Sequence, residues 1–192
     1  MRFFPFAIFI LYYAYAIIRY HGGTDVPLSD WMFIMNKAFA WTAFTWIGLS
    51  VLPQHVLNTI KTDRRNLGVQ GFSLGITHAI VTFCLLSPYY YGKLYDGSEL
   101  STIGWVALSI GVVTILIYLF PLVGALKDLP NTHSVFRFGK IGFFFSTLHP
   151  AIIGFSGWFQ PGTWPYYMPP ITLLAFLTGI GFFALRALLR KV

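Results

Sequence analysis

Two histidines stand inside long apolar runs. His78 lies in RRNLGVQGFSLGITHAIVTF and His149 in GKIGFFFSTLHPAIIGF. An ionisable side chain at membrane depth is expensive and by default marks function. The chemistry open to a neutral imidazole there is ligation, because iron takes the nitrogen lone pair that lipid cannot satisfy. Two imidazoles on different helices can clamp a haem between them. The plainer role is a hydrogen bond to a neighbouring helix. One histidine alone leaves the two roles even; two at one depth favour ligation.

Depth follows from the helical rise. Counted from Asn66, His78 lies ~18 Å along its helix, and counted from Ile141, His149 lies ~12 Å along its own, at ~1.5 Å per residue. If both helices start from the same face, the rings fall within about one turn of the same depth. Each ring also tops a groove of small residues. Gly75, Gly71 and Gly68 precede His78 at i−3, i−7 and i−10, and Ser146 and Gly142 precede His149 at i−3 and i−7. Those spacings share a helix face. A small-residue face lets helices approach closely, and it also leaves room for a flat group. Pro150, directly after His149, frees a backbone carbonyl and favours a kink.

Two cations are candidates for a haem propionate: Lys37, seven residues into its run from Asp30, and Arg19. The alternative for Lys37 is to snorkel to the surface. His55 and His133 lie near segment ends, either as a pair holding a second group or as solvated loop residues, and His21 reads as an interface residue. The single cysteine, Cys84, reads as a buried, inert thiol; it cannot form an internal disulfide.

The elements that must position these residues are legible from composition. The chain has 192 residues, of which 56% are hydrophobic and 10% charged. Ordinary soluble domains carry about a quarter charged residues, so the expected class is an all-α integral membrane protein. Six apolar segments, roughly 3–20, 31–53, 66–90, 101–124, 138–158 and 168–188, are each near the ~20 residues a helix needs to cross hydrocarbon. They predict a six-helix bundle forming a single transmembrane domain, 1–192. The opening stretch MRFFPFAIFILYYAYAII has features of a signal peptide, but its apolar run continues, and it is expected as a retained first helix.

Charge predicts the orientation. Ten of the 13 basic residues, among them Arg64, Arg65, Lys140 and Arg186, fall on one side, while Arg19, Lys37 and Lys93 fall on the other. The positive-inside rule then places both termini in the cytoplasm. The net charge of +7 is thus read as topology, not as nucleic-acid binding.

The stretch RRNLGVQGFSLGITHAIVTF resembles the signature of the ferric-reductase-like transmembrane family: paired arginines, Leu-Gly, then a helix with a central histidine. Within it, the likeness is to the haem-binding membrane subunit of the bacterial periplasmic methionine sulfoxide reductase system. YHGGTDVPLSD and NKAFAWTAFTWIGLSVLP resemble that family's first loop and second helix, with Asn36-Lys37 standing where a Gly-Arg pair is usual. The resemblance covers segments one to three well and the later ones loosely. It implies b-type haem, a place in the bacterial inner membrane, His78 as the third-helix ligand and His149 as the fifth-helix ligand. The family's usual earlier histidine on the fifth helix would fall near Phe136 or Arg137, neither of which ligates iron.

The expectation is therefore a multi-pass electron-transfer protein holding one haem b. It would take electrons from quinol or a cytoplasmic flavoprotein and pass them to an outer-face partner. Quinone and flavin are the alternative cofactors. Larger relatives add flavin and nicotinamide domains, which are not expected here. The rival is a non-catalytic anchor subunit of a larger membrane complex that has kept a cytochrome-like fold. A transporter ranks last, because all six acidic residues fall near segment ends or in loops.

Overall fold

The computed structural model describes residues 4–22, 26–59, 63–127 and 133–189. They form eight α-helices: α1 (Phe4–Ile17), α2 (Trp31–Ser50), α3 (Gln54–Thr59), α4 (Arg64–Cys84), α5 (Pro88–Tyr91), α6 (Thr102–Leu126), α7 (His133–Trp158) and α8 (Ile171–Leu189). A two-residue hairpin pairs Tyr95 with Leu100 and Asp96 with Glu99. Four helical segments are long and apolar enough to cross a membrane: Arg64–Cys84, Thr102–Leu126, Arg137–Trp158 and Pro165–Leu189. Their outer faces carry large bare apolar side chains such as Trp105, Leu116, Phe120 and Phe144. Contiguous exposed apolar surface of this kind suits lipid.

α2 is the central helix and packs on α1, α4, α7 and α8. Its buried side chains Phe33, Ile34, Trp41, Phe44 and Ile47 form the core with Phe143, Ile171 and Ala175. Aromatic contacts run through that core: Tyr12 stacks on Trp41 with centroids 3.8 Å apart, and Phe44 on Phe143 at 5.0 Å. Such pairs add ~0.5–1.5 kcal/mol beyond their burial.

Several boundaries differ from the apolar runs, each for a local reason. The run 66–90 contains two helices, because Ser87 is extended before Pro88, and a residue preceding proline is driven out of the helical region. Pro53 likewise separates α2 from α3, within a stretch expected as loop. The Met168-Pro169-Pro170 stretch delays α8 to Ile171. α1 is α-helical only to Ile17 and continues as a π-helix over Ile18–Gly22. Cys84 is exposed on the helix surface and not buried.

The helix ends are tied down by side chains. Asp63 caps α4 by accepting from the Asn66 amide at 3.3 Å, and Ser101 caps α6 by accepting from the Gly104 amide at 3.1 Å. Arg64 donates to the Leu52 carbonyl at 2.6 Å, and Arg186 donates to the Val51 carbonyl. Two arginines thus satisfy the orphan carbonyls at the C-terminus of α2, where a cation also complements the helix dipole. The start of α4 and the end of α8 therefore lie at one end of the bundle. At the other end Arg19 donates to the Met168 carbonyl, and Tyr15 to the Pro169 carbonyl at 2.6 Å.

Candidate functional site

The bundle is organised around two closely packed helix pairs. α2 lies along α4, and α6 along α7, while α4 meets α6 over a shorter stretch. Glycine makes each pairing close. A β-carbon on Gly71 of α4 would come within 3.1 Å of the Ala43 carbonyl oxygen and the Ile47 amide nitrogen of α2. One on Gly142 of α7 would press within 2.7 Å of the Tyr118 ring of α6.

Between the pairs lies a cavity of about 270 Å³ whose wall includes both His78 and His149. That is near the lower end of the ~300–1,000 Å³ range of small-molecule pockets. Its wall is largely apolar, with Trp41, Phe72, Leu108 and Ile153 contributing. Gly75 and Ser146 also line it, and so does Lys37. With Pro150, which also lines it, six of the residues singled out from sequence are thus brought to one place. Gly71 and Gly142 are not on its wall; the structure uses them for helix packing. Arg19 is not on the wall either. Its guanidinium is engaged with Met168, although the adjacent Tyr20 does line the cavity.

Each histidine has its Nδ1 tied to an oxygen of the neighbouring helix. His149 Nδ1 lies 3.0 Å from the Ala107 carbonyl oxygen of α6. A carbonyl only accepts, so Nδ1 carries the proton and Nε2 keeps the lone pair. His78 Nδ1 lies 2.9 Å from Asn36 Oδ1 of α2. The Asn36 amide nitrogen donates to Thr82 Oγ1 at 2.9 Å and to the Tyr91 hydroxyl at 3.0 Å, which turns its oxygen toward the ring. His78 therefore also presents Nε2 as its free acceptor. A ligating histidine needs this arrangement: one nitrogen tied back to fix the tautomer and the other bare. The imidazoles and the Lys37 ammonium are near enough to interact electrostatically.

Lys37 does not run to the surface. Its Nζ lies 4.3 Å from the ring centroids of both Phe33 and Tyr91, a double cation–π seat. Among the described residues no carboxylate pairs with it. On the α7 wall, Ser146 Oγ donates to the Gly142 carbonyl at 3.0 Å and shares a 3.1 Å hydrogen bond with the Tyr118 hydroxyl. Gly111 of α6 faces the His149 ring: a β-carbon there would sit 3.5 Å from its Cε1.

His21 and His55 stand apart from this cavity. His21 Nδ1 hydrogen-bonds the Val26 carbonyl at 3.1 Å. His55 lies exposed on α3. The side chain of His133 lies outside the described residues, and with it the suggested pairing with His55. Among the described residues no cluster of three or more His, Cys, Asp or Glu side chains could hold a bare metal ion. Haem asks less of the protein, because the porphyrin supplies four nitrogens and leaves only the axial positions.

Sequence reasoning missed Asn36, Thr82, Tyr91, Tyr118 and Gly111. Asn36 offered one signal, a polar residue beside Lys37 in an apolar run. It is fully buried, and a buried amide must find partners. Tyr91 offered none, since it reaches the site from beyond the end of α4. No protein-family model matches the chain, and no curated protein matches it.

Proposed function

We propose that this chain is a six-span, b-type haem protein of the bacterial inner membrane that carries electrons across it. α1 and α2 complete the six spans beside the four apolar helical segments, and both termini face the cytoplasm by the distribution of basic residues. One observation carries the reading. Two imidazoles from separate helix pairs line one apolar cavity, each with its Nδ1 tied back and Nε2 left as the acceptor. The residues present fit haem in three respects. His78 and His149 would hold the iron through Nε2, Gly75 and Gly111 leave space at the cavity wall, and Lys37, with no carboxylate partner among the described residues, would meet a propionate. Bound haem would supply one-electron redox chemistry. The chain supplies ligation, orientation and a low dielectric that sets the potential.

Quinol or a cytoplasmic flavoprotein is the proposed donor, and a protein at the outer face the acceptor. The resemblance to the ferric-reductase-like family supports the same reading through His78. The test is a reduced-minus-oxidised absorption spectrum with a pyridine haemochrome count, on detergent-purified protein and on His78→Ala and His149→Ala. A b-type spectrum near one haem per chain, lost in both variants, is expected. A colourless wild type from haem-sufficient cells would sink the reading in favour of a membrane anchor.

A further inference from the structure

The haem reading gives His78 and His149 equal roles, yet their supports differ in kind. His149 leans on a backbone carbonyl, which only a change of helix packing can move. His78 leans on Asn36, a side chain, and Asn36 depends in turn on Thr82 and Tyr91. All of this lies inside the bundle: Asn36 is fully buried at the α2–α4 contact. Thr82 Oγ1 is also 3.5 Å from His78 Nδ1, too long to replace the amide as its partner.

We propose that Asn36 is the positioning residue for His78. It selects the Nδ1-protonated tautomer, so that Nε2 is the unprotonated nitrogen before any ligand arrives, and with haem bound it would set how strongly that nitrogen donates to iron. Three features carry this. The Asn36 oxygen is the only atom within 3 Å of His78 Nδ1 among the described hydrogen bonds. Two hydroxyls lie on the nitrogen side of the amide and accept from it. Those hydroxyls come from two elements, α4 and α5, so the lock draws on more than the helix that carries the histidine. The tautomer claim stands on the protein's own atoms. The effect on iron rests on the haem reading.

The experiment labels the histidine nitrogens and reads the ring tautomers of the haem-free protein by ¹⁵N NMR; five histidines keep the spectrum assignable. Wild type is expected to show His78 protonated at Nδ1. Asn36→Leu should turn it into a mixture or shift it to the Nε2 form, and Tyr91→Phe should move it less in the same direction. His149 serves as the internal control, unchanged wherever the fold is intact. With haem bound, Asn36→Leu should weaken retention ~10–100-fold, the usual effect of losing a partner behind a metal-ligating histidine. Asn36→Asp, with a more basic acceptor, should lower the midpoint potential, and Asn36→Leu should raise it. A His78 that stays protonated at Nδ1 in Asn36→Leu, with His149 undisturbed, would overturn the proposal. Should Asn36→Leu fail to fold, Tyr91→Phe decides by the same signal: an unshifted His78 overturns the proposal. A colourless wild type removes the haem reading alone, and the tautomer measurement still decides the role of Asn36.

Discussion

The α2–α4 pair and the α6–α7 pair present the same side chain to the same cavity and support it by different means. On the α2–α4 side the surroundings are polar: Asn36, Thr82, the Tyr91 hydroxyl and the Lys37 ammonium gather around His78. On the α6–α7 side the ring is held by one backbone carbonyl, with Gly111 against it and a Tyr118–Ser146 hydrogen bond below. A backbone acceptor is fixed wherever the two helices are packed together. A side-chain acceptor must be held in turn, which takes further buried polar groups. Such a network is sensitive at every member, because each lost partner leaves another buried group unsatisfied. Two histidines of similar outward geometry should therefore respond differently to changes around them.

The largest expected effect falls on both pairs alike. In the haem reading, His78→Ala and His149→Ala should each abolish haem binding, since one imidazole would leave the iron without its second protein ligand. If one variant keeps full haem while the other loses it, the symmetry of the site is broken, and the surviving histidine is structural.

Packing separates the pairs next. Gly71→Leu would drive a side chain against the α2 backbone, at the Ala43 carbonyl and Ile47 amide. Gly142→Leu meets a ring, Tyr118, which can turn. Overpacking costs ~1–3 kcal/mol, and Gly71→Leu belongs at or above the top of that range, with Gly142→Leu below it. Thermal unfolding in detergent checks the order. Equal losses would mean that the two crossings are equally rigid.

A smaller effect is expected at Lys37. Lys37→Met keeps the bulk between Phe33 and Tyr91 and removes the charge. In the haem reading it should leave the spectrum in place while weakening haem retention, by the ~0.5–2 kcal/mol of an interior charge interaction screened by its surroundings. Competition for haem with an apo-globin measures it. An unchanged exchange rate would return Lys37 to a purely structural seat on two rings.

How far the sequence discloses this site follows from where each contact originates. His78 and His149 are visible because a titratable group in an apolar run is anomalous by itself. Lys37 is visible for the same reason. The small residues are visible as a pattern, but the pattern does not say what fills the groove. Gly75 faces the cavity, whereas Gly71, one turn away, faces the α2 backbone. That distinction depends on the angle at which α4 crosses α2, which periodicity does not contain. Asn36 and Tyr91 depend on partners 42 and 55 residues apart, His78 with Asn36 and Tyr91 with Asn36. Only the packed structure assembles them. The fold shows the same division. Apolar runs locate the long helices, while proline breaks some of them, as at Ser87-Pro88, and is carried inside others, as at Pro121 and Pro150.

The smallest effect concerns a latch that only the α2–α4 side possesses. At the start of α2 the Asp30 carboxylate accepts hydrogen bonds from the Tyr89 hydroxyl at 2.9 Å and the Tyr90 hydroxyl at 3.3 Å. This ties α5 to α2, and α5 carries the Tyr91 that supports Asn36. Donation to Asp30 raises the ionisation of Tyr89 above its usual 10.0, with desolvation and the carboxylate charge acting in the same direction. A hydroxyl whose ionisation is raised by folding stabilises the fold while it stays protonated. Its contribution is full below the unfolded value of about 10 and is lost as pH rises through the higher folded value. Tyr89 is well exposed, so Tyr89→Phe should lower the melting temperature only slightly at neutral pH, and the difference from wild type should vanish in strong alkali. A gap that persists unchanged above the folded ionisation would mean that Tyr89 acts through its ring against Tyr90. The latch would then be aromatic packing, and the α2–α4 pair would owe its polarity to the interior network alone.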